Sequence, residues 1–141
     1  MKHAKNIITK TSVLLSKKRS LITAKDVKAG GGAFLHNNSF LLTAQNIRAD
    51  CLVRLDGCPS LLTVQNIEAG GDVFLDHNFS LLTVKNIEAG GDVFLDHNFS
   101  LLTVKNIRAG VDLYLYSSPS LLELAPTAKG ENIYISFNLK Q

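Results

Sequence analysis

The residues of this chain with the clearest chemical potential are carboxylates and histidines that recur at a fixed spacing. Asp76 and Asp96 lie 20 residues apart, and so do His77 and His97. Paired carboxylates perform acid–base work in glycosidases, and histidines are common zinc ligands. Each of these residues is one member of a periodic set, and no third metal ligand repeats with the histidines. We therefore predict a protein that is not an enzyme and that has no metal site and no cofactor.

The periodic spacing comes from a tandem repeat. Residues 60–79 and 80–99 are identical except for Gln65 and Lys85. A short period of this kind is typical of a solenoid, in which stacked units share one continuous core. We therefore expect a single domain over residues 1–141, divided into a basic N-terminal partial repeat or cap (1–19), regular repeats (20–119) and a divergent C-terminal repeat or cap (120–141).

Each repeat contains one segment with the alternation of a short β-strand. Val73 and Leu75 alternate with other residues directly after two glycines, so these two side chains are expected to face the core of a parallel sheet. Leu81, Val84 and Ile87 follow at a spacing of three. This spacing favours an extended or polyproline-like return path over an α-helix or a period-two strand.

A second strand on the return path is the alternative, and it would place different residues in the core. With a period of two, Leu82 and Val84 would both point inward, whereas a period of three buries Leu81 with Val84. Leu82 is therefore the residue that distinguishes the two interpretations.

The repeat also carries a family resemblance. Residues 53–64, VRLDGCPSLLTV, resemble the L-x-L-x-x-[N/C]-x-x-L-x-x-L core of bacterial leucine-rich repeats, and residues 93–101 show the Asn version. The resemblance covers residues 20–139 and implies a strand on a concave face followed by a buried ladder. The implied ladder consists of Asn38, Cys58, Asn78, Asn98, Ser118 and Asn138.

These observations together predict an all-β fold. We expect a parallel β-solenoid of leucine-rich-repeat type with six full 20-residue repeats and a partial N-terminal repeat. A right-handed parallel β-helix is the alternative architecture, because both are parallel β-solenoids with strands about 4.8 Å apart.

The residues that point outward from the strands suggest a binding function. A contiguous row of exposed rings usually marks a binding surface, although rings one rung apart can also stack on one another without any ligand. We predict a non-enzymatic module that binds another protein, such as an effector, an inhibitor or an immunity factor. The predicted partner-binding residues are Phe34, Arg54, Phe74, Phe94, Tyr114 and Tyr134, flanked by Asp72, Asp92, Asp112, Asp76 and Asp96.

Two other functions stay open at this point. A β-helix that binds or cleaves polysaccharides is the main alternative. Binding to ice or another ordered surface is a minor one, suggested by an outward column of threonines that includes Thr63 and Thr83. The neighbouring column is a mixture of lysine and glutamine, which argues against a flat ice-binding face.

Charge and cysteine usage bear on location and partners. Residues 1–30 hold eight lysines and arginines against Asp26 alone, whereas the rest of the chain holds seven basic and eleven acidic residues. The basic end is expected to be a solvated cap or an anion-binding site. The segment lacks the apolar run of a signal peptide, and no membrane span is expected. Cys51 and Cys58 are expected to be reduced thiols in the cytoplasm, with secretion by a signal-peptide-independent route left open.

Overall fold

The chain winds into a parallel β-solenoid. The structure is a computed structural model that describes residues 2–121, 123–124 and 132–136, with side chains as far as residue 121. Within these residues it makes about six turns and contains no helix, which confirms the predicted all-β parallel solenoid. Each 20-residue repeat makes one turn and contributes one strand to each of two seven-stranded sheets.

The two sheets alternate along the chain. Sheet A is formed by β1 (His3–Thr9), β3 (Thr23–Ala29), β5 (Thr43–Ala49), β7 (Thr63–Ala69), β9 (Thr83–Ala89), β11 (Thr103–Ala109) and β13 (Glu123–Leu124). Sheet B is formed by β2 (Val13–Leu14), β4 (Ala33–Phe34), β6 (Val53–Arg54), β8 (Val73–Phe74), β10 (Val93–Phe94), β12 (Asp112–Tyr116) and β14 (Asn132–Ser136).

Strands pair in the register that the repeat dictates. Val73 is the backbone partner of both Val53 and Val93, so equivalent positions of successive repeats lie directly above one another. The N–H of Leu75 donates to the carbonyl oxygen of Phe94 at 2.8 Å, continuing the ladder beyond the two-residue strand. Because each repeat presents the same backbone pattern to its neighbours, the side chains at equivalent positions form columns along the solenoid.

The core is a set of aliphatic columns inside the turn. Val73 and Leu75 are fully buried, as their alternation predicts. Most of the driving force for folding therefore comes from stacked aliphatic layers between the two sheets. The buried columns of the central repeats contain Leu61, Val64, Ile67, Ala69, Leu81, Val84, Ile87 and Ala89 in addition to the Val and Leu of sheet B.

The return path corrects the sequence-based expectation in one respect. Leu81, Val84 and Ile87 are buried and Leu82 is 38% exposed, so the period of three is right. Of the predicted extended or polyproline-like conformations, the extended one is right and the polyproline-like one was wrong, because the segment is a seven-residue strand of sheet A. The reason is Asn86, which has a φ of 58° within the strand. A left-handed residue reverses the pleat locally, so Val84 and Ile87 both face the core.

The second sheet gives the turn the cross-section of a β-helix. The predicted strand and the return path each pair in parallel with the same segment of the next repeat. The core therefore lies between two sheets. No stretch of the described residues forms a helix with the length and apolar character needed to cross a membrane.

Candidate functional site

The outer face of sheet B carries a column of stacked side chains. Phe74 and Phe94 stack with centroids 4.9 Å apart, and Phe94 stacks on Tyr114 at 5.0 Å. These rings, like Phe34, are half-buried rather than fully exposed. Tyr134 pairs with Tyr114 through the backbone of β14, and its side chain lies outside the described part. The predicted ring column therefore exists, with its ring faces covered by neighbouring rings.

Arg54 stands in this column between Phe34 and Phe74. Its guanidinium carbon lies 5.7 Å from the centroid of the Phe74 ring. Its Nε donates to Oδ1 of Asp56 at 3.0 Å and its Nη2 donates to Oδ2 at 2.6 Å. The hydrogen bond to Asp56 raises the pKa of Arg54. The guanidinium of Arg54 therefore makes a cation–π contact with a ring and a bidentate contact with a carboxylate. Both are favourable contacts for arginine.

The aspartates that precede the strands of sheet B accept hydrogen bonds from the backbone of the next turn. Oδ1 of Asp72 accepts a hydrogen bond from the backbone N–H of Asp92 at 2.7 Å, and Oδ1 of Asp92 accepts from the N–H of Asp112 at 2.9 Å. These bonds satisfy corner N–H groups of the next turn, which stabilises stacked carboxylates. At the N-terminal end, Ser12 Oγ accepts from Gly32 N–H in the same way.

The aspartates that follow the strands are arranged differently. Oδ2 of Asp76 lies 2.8 Å from Nδ1 of His77, while Oδ1 of Asp76 is buried with no hydrogen-bond partner. Oδ1 of Asp96 accepts from the N–H of Tyr116 at 2.7 Å. Burial raises the pKa of Asp96, although the Tyr116 bond opposes this shift. Because the folded state binds this proton more tightly than the unfolded chain, ionisation of Asp96 as pH rises reduces the stability of the fold.

A second array of rings lies at the corner next to these carboxylates. His77 stacks on His97 at 4.6 Å and Phe79 stacks on Phe99 at 5.3 Å, and each histidine meets the phenylalanine of its own turn edge-on. Phe79 is 47% exposed and Phe99 is 46% exposed. We call these four residues the corner ring array. Among the stacked ring pairs of the described residues, Phe79 and Phe99 are the most exposed; Phe40, outside this array, is 57% exposed.

Sequence reasoning considered His77 and His97 only as possible metal ligands and missed Phe79 and Phe99. The hydrogen bond from Leu81 N–H to Asn78 O closes a turn with Phe79 at its tip, so the phenylalanine points out. The available signal was a phenylalanine repeated immediately after the ladder asparagine. Beyond this turn, a stripe of exposed leucines continues the apolar surface, formed by Leu42, Leu62 and Leu82.

The ladder residues after each strand lie inside the turn. Asn38, Cys58, Asn78, Asn98 and Ser118 are all fully buried, and Asn138 lies outside the described residues. Oδ1 of Asn98 accepts from the N–H of Asn78 at 2.9 Å, and its Nδ2 donates to the carbonyl oxygens of Leu75 and Leu95. One amide therefore satisfies three backbone groups at the point where the chain leaves sheet B.

Both cysteines are free thiols, but their environments differ. Cys58 is fully buried, and burial raises the pKa of its thiol to about 11, whereas Cys51 is exposed. Since the thiolate is the reactive form, an alkylating reagent at neutral pH is expected to modify Cys51 about a hundredfold or more faster than Cys58. Mass spectrometry of labelled peptides measures both rates. In denaturant the two rates should converge, and equal rates in the folded protein would contradict this placement.

A polar groove runs along the bend of sheet A, on the other side of the solenoid. Asn66 donates from Nδ2 to Oδ1 of Asn46, and Asn86 donates to Asn66, both at 2.9 Å. The groove has a volume of about 600 Å³ and is walled by Arg48, Glu68, Glu88 and Arg108. Positive and negative side chains balance along this wall, and no ring lies among the lining residues.

Comparison with known proteins gives no relative. The chain matches no protein-family model, no curated protein and no solved structure. In the part of the chain that the structure describes, no group of three or more His, Cys, Asp or Glu side chains is placed to hold a metal ion. Inference about function therefore rests on the surfaces described above.

Proposed function

We propose that this protein is a non-enzymatic module that binds another protein on the outer face of sheet B and the adjoining corner. The observation that carries the proposal is the corner ring array, in which Phe79 and Phe99 are each nearly half exposed in one stack. Exposed, contiguous aromatic side chains commonly act as the central anchors of protein interfaces. The leucine stripe with Leu62 and Leu82 enlarges the apolar area around the corner.

The charges on this face define the kind of partner. Asp76 and Asp96 lie between the Phe74–Phe94 stack and the corner ring array, so the face combines apolar and acidic character. A partner surface with apolar and basic side chains complements both. Asp72 and Asp92 are already engaged with backbone N–H groups and are expected to add to the negative potential without contacting the partner directly.

The experiment is affinity capture from cells of the source organism, followed by measurement of the dissociation constant of the captured protein. Phe79→Ser combined with Phe99→Ser is expected to weaken binding by about thirtyfold or more, because the loss of even one central aromatic anchor commonly costs about 2 kcal/mol. The fold should be retained, because both side chains lie at turn tips outside the core.

The matched control is Gln65→Ser combined with Lys85→Ser, which changes two outward residues of sheet A in the same two repeats. This control should bind the partner like the unmodified protein. Full affinity in the double Ser variant of Phe79 and Phe99 would refute the proposal.

We further propose that the chain is a bacterial protein of the leucine-rich-repeat class that works in the cytoplasm as an inhibitor, immunity factor or effector. The class is supported by the pattern in residues 53–64 and by the buried Asn or Cys that follows four successive strands of sheet B, at Asn38, Cys58, Asn78 and Asn98. The compartment is supported by two unpaired thiols, one of them exposed.

Polysaccharide binding has weaker support on this chain. The groove along Asn46, Asn66 and Asn86 presents amide groups at every turn, but its lining residues offer no ring on which a sugar could stack. The amides are also engaged with one another in a ladder. The threonine column has lysine and glutamine beside it, so surface binding is the weakest of the three candidates.

A further inference from the structure

Arg54 shows how this face binds an arginine side chain. Its guanidinium donates two hydrogen bonds to the carboxylate of Asp56 and lies over the Phe74 ring. The Asp56 side chain is left only 14% exposed. The repeat thus contains a complete guanidinium contact, formed within the chain, at one turn of the solenoid.

The next two turns repeat the carboxylate without a matching arginine. Asp76 and Asp96 follow their strands as Asp56 does, but phenylalanines occupy the column positions beside them. The Asp76 side chain is 23% exposed, and its Oδ1 has no hydrogen-bond partner. Asp96 uses Oδ1 for the N–H of Tyr116. Both carboxylates therefore retain capacity to accept further hydrogen bonds.

We propose that Asp76 and Asp96 bind arginine side chains of a polypeptide partner, and that Arg54 occupies the equivalent contact on Asp56 as an internal stand-in. This inference rests on the proposed protein-binding function and specifies what the partner presents. The partner carries arginines on neighbouring turns, with apolar side chains placed over Phe79 and Phe99. Nucleic acid is disfavoured as the occupant, because stacked carboxylates repel phosphates.

The contacts available to an incoming arginine differ from those of Arg54 in one way. The faces of Phe74 and Phe94 cover each other, so the carboxylates supply the main attraction. The carboxylate of Asp76 must turn outward and give up the Oδ2 contact with His77, which the broad terminal torsion of aspartate permits. Two parallel hydrogen bonds then favour the planar guanidinium over the ammonium group of lysine.

The test uses three synthetic peptides that alternate valine with arginine, lysine or citrulline, the uncharged counterpart of arginine. Isothermal titration calorimetry at low salt is expected to show that the arginine peptide binds at least about threefold more tightly than the lysine peptide. The citrulline peptide should show no saturable binding. High salt should weaken binding of the arginine peptide, because exposed charge pairs are screened. Equal binding of the three peptides, or none by the arginine peptide, overturns the inference.

Variants of the protein test the same idea from the other side. Asp76→Asn combined with Asp96→Asn is expected to weaken binding of the arginine peptide about tenfold or more. Asparagine keeps an oxygen that can accept from the Tyr116 N–H, so the fold is retained. The matched control is Glu68→Gln combined with Glu88→Gln, which removes two carboxylates from the sheet A groove and should leave binding unchanged. Unaltered binding in the aspartate variant overturns the inference.

Arg54→Phe gives the most discriminating result. It continues the ring column and releases Asp56, so the arginine peptide should bind about threefold more tightly through one additional carboxylate. A merely structural Arg54 would give unchanged or weaker binding, which also overturns the inference. If the arginine effects fail while Phe79→Ser with Phe99→Ser still weakens binding of the captured partner, the protein-binding proposal stands and only the guanidinium assignment falls.

Discussion

Replacing Leu75 with alanine is expected to lower the free energy of unfolding by about 2–5 kcal/mol. Leu75 is fully buried, and its neighbours in the column, Leu55 and Leu95, are buried as well. The substitution removes apolar contacts and leaves a cavity in the core. The neighbouring turns cannot close this cavity without disturbing their own packing. In a stacked array the loss weakens the interfaces on both sides of the altered repeat.

Leu82→Ala in the adjacent repeat is the matched control for Leu75→Ala. Leu82 is 38% exposed, so its truncation should cost about 1 kcal/mol or less. Urea denaturation followed by circular dichroism measures both changes. Equal losses for the two leucines would mean that the inward and outward faces have been assigned wrongly.

Replacing Asn98 with leucine is expected to lower the free energy of unfolding by about 3 kcal/mol or more, since each buried polar group left without a partner costs about 1–3 kcal/mol. The change orphans the N–H of Asn78 and removes hydrogen bonds to the carbonyl oxygens of Leu75 and Leu95. The apolar gain from leucine does not offset these losses, because the side chain would face backbone polar groups at the corner.

Asn86→Gly serves as the control for Asn98→Leu. Asn86 also belongs to an amide ladder, but it is exposed and has a φ of 58°, which glycine adopts without strain. Its replacement should change the free energy of unfolding by about 1 kcal/mol or less. If Asn86→Gly costs as much as Asn98→Leu under the same denaturation assay, burial of the ladder amide is not what stabilises the corner.

The 20-residue repeat predicts a parallel β-solenoid and the core positions of its central turns. Near-identical units must adopt near-identical conformations, and stacking them in register buries equivalent residues in columns. The alternation at Val73 and Leu75 therefore predicts the strand of sheet B, and the spacing of Leu81, Val84 and Ile87 predicts which residues of the return path face inward. These features follow from periodicity alone.

How each turn bends, and which side chains reach its surface, depends on the stacking of the turns. Asn78 and Asn86 are the same residue type in one stretch of chain, yet the first is buried in the corner and the second bends a strand of sheet A at positive φ. Residue type allows both roles, because asparagine satisfies backbone groups and also tolerates the left-handed conformation. The choice depends on which backbone groups the neighbouring turns leave unpaired.

The proposed binding surface depends on tertiary structure in the same way. Oδ1 of Asp72 serves the N–H of Asp92 one turn away, Arg54 closes on Asp56, and Phe79 projects from a turn tip. The first contact joins residues one full turn apart, the second joins residues two positions apart, and the third depends on the direction of a corner. The sequence repeat gives the spacing of such contacts. Their hydrogen-bond partners are fixed only when the turns stack and each side chain packs against the neighbouring backbone.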